Sequence, residues 1–278
     1  MRVVSHRVLY PERGCCLRIV PLGDLHLGHA NCDEELLDGK IASIASDPWA
    51  RWIGMGDYYE CIGRQDKRHR ESCYAPWLHG EDDVFVGQRK RWEAKAKLIA
   101  DKCLGMIQGN HEAWVRDRLG LDVMYSTMLE NVFGERSYEL ALGVHGFIRL
   151  TFEREFTTGR STSRRRNFDI YAHHGFGGGD LAGGKALKLE RLIARYEARL
   201  YLMGHTHDTV VLSRRRVRLG VKNRLEDCDV RAVNTGSFLR SVVDGQQMYA
   251  EEKGLQPLPV GCPEINVDCE TQEMTVSV

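Results

Sequence analysis

An apolar run, Leu200-Tyr201-Leu202-Met203, breaks off at Gly204-His205-Thr206-His207, and the same arrangement occurs four times earlier in the chain. Leu17-Arg18-Ile19-Val20-Pro21-Leu22 runs into Gly23-Asp24-Leu25-His26. Trp52-Ile53-Gly54-Met55 runs into Gly56-Asp57-Tyr58-Tyr59-Glu60. Leu104 to Gln108 runs into Gly109-Asn110-His111-Glu112, and Phe168 to Ala172 into His173-His174-Gly175. Short apolar runs closed by glycine read as buried strands. Each cluster that follows carries side chains of the kind that ligate metals. The fold therefore has to bring several strand ends to one place, where they assemble a metal centre.

The segments between these strands fit that requirement. Leu36, Leu37, Ile41, Ile44 and Ala45 have helical spacing over 33–46, so the first two strands flank a helix and are expected to pair in parallel. Residues 61–84 read as a long polar loop, Phe85–Cys103 as a helix with a charged outer face, and 112–131 as helical with a break near Gly120. Alternation over Tyr138–Val144 and Phe147–Phe156 predicts a β-hairpin turning at His145-Gly146. Thr157–Arg166 reads as a loop, and Leu187, Leu189, Leu192, Ile193 and Tyr196 mark a helix. Further strands are expected at Thr209–Leu212, Val230–Asn234, Glu264–Cys269 and Glu273–Val278. No repeat or low-complexity linker divides residues 1–278, which read as a single α/β domain.

Composition excludes some classes. The 39 basic residues equal the 39 acidic ones, so no global charge argues for nucleic acid or a membrane surface. The nine cysteines are odd in number, form no C-x-x-C and fall outside the expected ligand positions, which points to reduced thiols and against a zinc ribbon. No apolar run reaches about 18 residues and no signal-peptide core follows Met1, so a cytoplasmic protein is expected.

Asp24 and His26 are one residue apart; on an extended backbone both side chains point the same way and can hold one cation. His205 and His207 repeat that spacing. Asp57 has two carboxylate oxygens and can bridge two ions. Asn110 offers an amide oxygen, and His111 beside it can ligate or act as a general acid. His173 and His174 are adjacent, so only one is expected to ligate.

Taken together, the order D-x-H, G-D-x-x-E, G-N-H-E, H, G-H-x-H resembles the motif string of the calcineurin-like metallophosphoesterase superfamily, over residues 23–207. The resemblance implies a four-layer αββα sandwich of two mixed β-sheets with metals at the strand ends. It implies that Asp24, His26 and His207 hold a first metal and that Asp57 bridges to a second. Asn110, His205 and one of His173 or His174 complete the second site, with His174 favoured because the ligand in several members precedes glycine. His111 would be the general acid and Glu60 the acidic residue that orients it. The activity implied is dinuclear-metal-dependent hydrolysis of a phosphomonoester or phosphodiester by a metal-bridging hydroxide. Ions about 3.5–4 Å apart clamp such an ester and acidify the water between them. Oxygen and nitrogen donors without thiolate suit two divalent ions, Mn²⁺ first, with Fe, Zn²⁺ and Mg²⁺ also compatible.

The chain departs from protein Ser/Thr phosphatases of the superfamily, because Cys61 stands where they carry a phosphate-binding arginine. It looks more like small bacterial or phage phosphoesterases. Gly175–Gly184 with Lys185 is either a substrate loop, in which Gly178 and Lys185 meet phosphate, or a connector opening a helix near residue 185. Arg164-Arg165-Arg166 and Arg214-Arg215-Arg216 would favour a nucleic-acid substrate, and hence a nuclease, if they flank the site; solvated faces are the alternative. Tyr58, Tyr59, Tyr74 and Trp77 either cap the core, the preferred reading, or stack on a base. A non-catalytic scaffold on the same fold is the remaining alternative, against which stands the filling of His111 and every ligand position.

Overall fold

The five runs that end in ligand clusters are all strands in the computed structural model, which describes residues 1–63, 66, 71–120, 122–155, 165–179, 181–219, 223–243, 254 and 256–278. The chain begins with β1 (Arg2–Tyr10), β2 (Cys16–Leu22), α1 (Glu34–Ser46) and β3 (Ala50–Gly54). There follow α2 (Val84–Lys97), β4 (Cys103–Ile107), α3 (Asn110–Leu119), α4 (Ser126–Phe133) and a single turn, α5 (Ser137–Leu140). Next come β5 (Ala141–Gly143), β6 (His145–Arg154), β7 (Arg166–His173), α6 (Ala182–Arg195) and β8 (Leu200–Met203). β9 (Val211–Leu219), β10 (Leu225–Asn234), β11 (Glu264–Asp268) and β12 (Met274–Ser277) complete it.

Two six-stranded mixed sheets result, in the orders β1-β6-β7-β8-β10-β9 and β12-β11-β2-β3-β4-β5. In the second sheet β2, β3, β4 and β5 are parallel, and in the first β7, β8 and β10 are parallel. The sheets pack face to face, β1 and β6 of one against β4 and β5 of the other. The α/β sandwich expected from the sequence is therefore present. Alternation along the central strands shows how both faces are buried. Phe168, Ile170, Ala172, Leu200 and Leu202 join the core between the sheets. Their neighbours Tyr171, Tyr201 and Met203 face the other way, onto Leu189, Leu192 and Ile193 of α6.

Local signals set the helices. Asp33 caps α1 by accepting from the Leu36 N–H at 3.1 Å, and Leu37, Ile41 and Ile44 form its buried stripe. Asp83 accepts from Phe85 and Val86 N–H to start α2. α3 stops at Gly120, whose φ of 68° suits glycine.

Three expectations fail here. The hairpin at His145-Gly146 does not form: Ser137–Leu140 is helical, β5 joins the edge of one sheet beside β4, and β6 enters the other between β1 and β7. The helix expected to reach Cys103 ends at Lys97, and a 3-10 turn at Ala100–Lys102 leads into β4. β1 was not anticipated at all. Most of the Thr157–Arg166 loop, Arg164 included, lies outside the described residues. Among the described residues no helix is long and apolar enough to cross a membrane.

Candidate metal centre

The carboxyl ends of β2, β3 and β4 in one sheet meet those of β7 and β8 in the other, and every expected ligand sits just beyond one of them. The backbone there is unusual. Asp24, His26, Asp57, His205 and His207 all have left-handed φ, between 48° and 68°. Non-glycine residues in this region are strained and cluster at functional sites. The extended geometry expected for Asp24-Leu25-His26 and His205-Thr206-His207 is therefore absent; the chain turns left-handed at each ligand instead. The glycines between ligands let the strand ends approach. A Cβ on Gly56, at φ +90°, would lie 2.6 Å from both Gly109 N and His174 Nδ1. A Cβ on Gly109 would lie 2.1 Å from the Asp57 N and Oδ1.

Three groups of donors result; the third, His26, Glu60 and His111, shares His26 with the first. In the first, Asp24, His26 and His207 bring one atom each within 4.8 Å of one another. His26 Nε2 and His207 Nε2 are 3.0 Å apart, and His207 Nε2 is 3.4 Å from Asp24 Oδ1. In the second, Asp57, His174 and His205 converge in the same way. His174 Nε2 lies 3.3 Å from Asp57 Oδ2 and 2.9 Å from Asn110 Oδ1. The His-x-His pair thus splits, one histidine to each group. His174 is the member of the adjacent pair that faces this cluster, and its Nδ1–H donates to the Met55 carbonyl at 2.8 Å. His173 points to the opposite side of β7, against His145 and Phe176, and accepts from the Gly175 N–H.

His111, at the start of α3, lies with its ring edge-on to His26, centroids 4.8 Å apart. Its Nδ1–H donates to the backbone carbonyl of Glu60. The Glu60 carboxylate was expected to orient this histidine. It instead accepts from His26 Nδ1–H at 2.7 Å, so it sets the tautomer of a first-group donor, and the hydrogen bond to His111 comes from the Glu60 carbonyl. Glu112 is a further structural residue of the centre. It is fully buried and accepts from the N–H groups of Asp57, Tyr58 and Gly109 at 3.1, 2.7 and 2.8 Å. Glu at the third helical position bonding back to the cap is a recognisable spacing, so Gly109 followed by Glu112 carried this signal. Asn234, at the end of β10, donates to the Thr206 hydroxyl between the two histidines; nothing in the sequence linked those two residues.

Buried carboxylates hold protons on the neighbouring imidazoles. Burial works against a charged His174, but the charges of Asp57 and Asp24 outweigh it and raise its pKa to about 10. Burial disfavours the Asp57 carboxylate, yet His174 and His111 hold it well below the usual range. Burial likewise opposes ionisation of Glu60, but the bond to His26 brings it down to about 2. Burial and the Asp57 charge push Glu112 up to about 7. Burial opposes the His111 cation, and the charges of Asp57 and Glu60 more than compensate, so its pKa is raised. Buried carboxylates within 3.4 Å of imidazole nitrogens suit divalent ions bound by oxygen and nitrogen.

Other expected residues are placed elsewhere. Lys185 is 2% exposed and its Nζ donates to Asp208 at 3.0 Å, so it is not a free phosphate ligand. Gly178 offers its carbonyl, with that of Gly177, to Lys188 Nζ. Arg214 pairs with Glu190, Arg215 with Asp227, and Arg216 donates to the Ile193 carbonyl. They lie along β9, with Arg214 opposite Val230, away from the strand end at Asn234. Arg165 meets Glu153, and Arg166 the Glu270 carbonyl. Tyr58 and Tyr59 are fully buried and cap the core, and Tyr74 is nearly so. Trp77 is half-buried and donates to Glu34.

No family model matches the chain, and no curated protein matches its sequence. Among solved structures it is similar to a conserved uncharacterized protein, a predicted phosphoesterase, from Streptococcus pneumoniae. That likeness covers 95% of this chain and 98% of the other, at 11% identity and a TM-score of 0.33. It is also similar to Vps29 from Entamoeba histolytica. A single-mutant form covers 94% and 97% of the two chains at 9% identity and a TM-score of 0.29. The wild type complexed with zinc covers the same shares at 11% identity and 0.29. What the centre can do chemically follows from its own donors.

Proposed function

We propose that this chain is a phosphoesterase that works with two divalent cations. The observation that supports this best is the pair of donor groups, Asp24/His26/His207 and Asp57/His174/His205, side by side at the meeting of the two sheets. Asn110 adds an amide oxygen to the second group, and Asp57, with two carboxylate oxygens, would be the residue to bridge the two ions. Cations bound there supply Lewis acidity toward phosphoryl oxygens and a more acidic water.

The protein's own contribution centres on His111. With its Nδ1–H held by the Glu60 carbonyl, its Nε2 is the nitrogen left to face the ester. The neighbouring carboxylates favour its charged form. As the water oxygen, having given up one proton to solvent, joins phosphorus and the P–O bond to the leaving group breaks, the Nε2 proton passes to the departing oxygen and solvent returns a proton to His111. Glu60 keeps His26 in one tautomer, and Glu112 fixes the backbone that presents Asp57.

The test is hydrolysis of bis-p-nitrophenyl phosphate against p-nitrophenyl phosphate by metal-stripped protein given Mn²⁺. Hydrolysis of either, dependent on added metal, supports the proposal; preference for the first assigns diesters and preference for the second monoesters. Stoichiometric binding of two metals with neither ester cleaved would overturn it.

A further inference from the structure

The helix that begins with Asn110 and His111 does more than carry an acid. Seven residues separate His111 from Arg118, two turns or about 10 Å along α3. Trp114, one turn on from His111, lies between them on the same side of the helix. Trp114 is half-buried, packed on one side against the core, and the Arg118 guanidinium sits over its ring, 5.7 Å from the centroid. Arg118 is exposed, and among the described residues no carboxylate pairs with it. The contrast with the two triple-arginine runs is direct, because their described members are committed to acids or carbonyls.

We propose that Trp114 and Arg118 form the subsite for the leaving-group side of a single-stranded nucleic acid. The inference rests on the phosphoesterase reading above. The leaving oxygen lies beside His111, so whatever hangs from it extends along α3. On that side of the helix the next side chains are Trp114, one turn on, and Arg118, two turns or about 10 Å along the axis from His111. A base that displaces the Arg118 guanidinium from the Trp114 ring and stacks there, with the following phosphate taken up by the released guanidinium, satisfies both. Aromatic stacking with a guanidinium is tolerant of sequence, so cleavage at this subsite would show little base preference.

Binding is read on the His111→Asn protein loaded with Mn²⁺, which keeps the ligands but lacks the acid. The probes are a fluorescein-labelled ten-residue oligodeoxyadenylate and a ten-residue abasic strand of equal charge, followed by anisotropy. The oligodeoxyadenylate is expected to bind about tenfold tighter than the abasic strand. Trp114→Leu removes that difference, Trp114→Phe restores most of it, and Arg118→Gln weakens both probes and flattens the salt dependence. Equal binding of the two probes by the starting protein, or an undiminished preference in Trp114→Leu, would overturn the subsite. Melting temperatures of the variants exclude a folding defect as the cause. If Mn²⁺-dependent hydrolysis of bis-p-nitrophenyl phosphate stands while the probes fail, the subsite alone is lost. If that hydrolysis is absent as well, the phosphoesterase reading falls with it.

Discussion

Glu60 makes two contacts with separate consequences, one through its carboxylate and one through its carbonyl. The carboxylate holds His26, and the carbonyl holds His111. Glu60→Gln is therefore expected to weaken metal binding by about 10- to 100-fold, the usual cost of losing a residue that orients a ligand. His111 keeps its carbonyl partner in that variant but loses one of the charges that raise its pKa, so turnover at saturating Mn²⁺ should hold at acidic pH and fall earlier than the parent's as pH rises; competition against a chelating dye and a pH profile of the steady-state rate measure the two effects. His111→Asn should do the reverse. Its metal content stays at two ions by elemental analysis, while turnover on esters with poor leaving groups falls by about 10²- to 10⁴-fold. Aryl esters, whose oxygen departs without help, should lose much less. Metal loss in His111→Asn would assign that histidine to ligation instead. The sequence alone singled out residues that the fold brings together here, but not their wiring, because a motif records which side chains are present and not whether a residue acts through its carboxylate or its carbonyl.

At the scale of elements, α6 ties together the two segments that carry sheet-one ligands. Lys185 reaches Asp208, next to His207, and Lys188 reaches the carbonyls that follow His174. Lys185→Met leaves the Asp208 carboxylate without its cation in a largely buried place, which should cost on the order of 3 kcal/mol in urea unfolding. Adding Asp208→Leu should return most of that loss, since the uncompensated charge is then gone. A single variant as stable as the parent would show that the pair carries no such role. These ties were illegible in the sequence, where Lys185 stood out only for its closeness to glycines. The strands β2, β3, β4, β7 and β8 were legible because each is a buried run cut off by a ligand cluster. β1 has no such cluster and half of its residues face solvent, so only its pairing with β6 reveals it. β5 and β6 alternate convincingly, yet local alternation cannot say that the chain leaves one sheet for the other between Gly143 and His145.

On the proposed function, bound cations would displace protons from the donors gathered where the two sheets meet, and the stability of the whole molecule should report that exchange. In the metal-free protein His174 titrates near 10 instead of 6.5. A raised histidine contributes stability that is complete below its unfolded pKa and is lost as pH rises through the folded one. Glu112, raised from 4.5 to about 7, acts in the same direction, favouring the fold while protonated and losing that contribution as pH climbs. Glu60, lowered to about 2, acts oppositely, but its contribution is already complete above 4.5. The metal-free protein should therefore become steadily less stable from about pH 6.5 to about pH 10. With Mn²⁺ bound, deprotonated His174 and ionised Asp57 face cations, and binding is favoured by the same rise in pH that removes the proton. Thermal melts with chelator and with Mn²⁺ should diverge across that range, the chelated protein falling while the loaded one holds or gains. Parallel curves would mean that the donors gathered where the two sheets meet do not exchange their protons for metal.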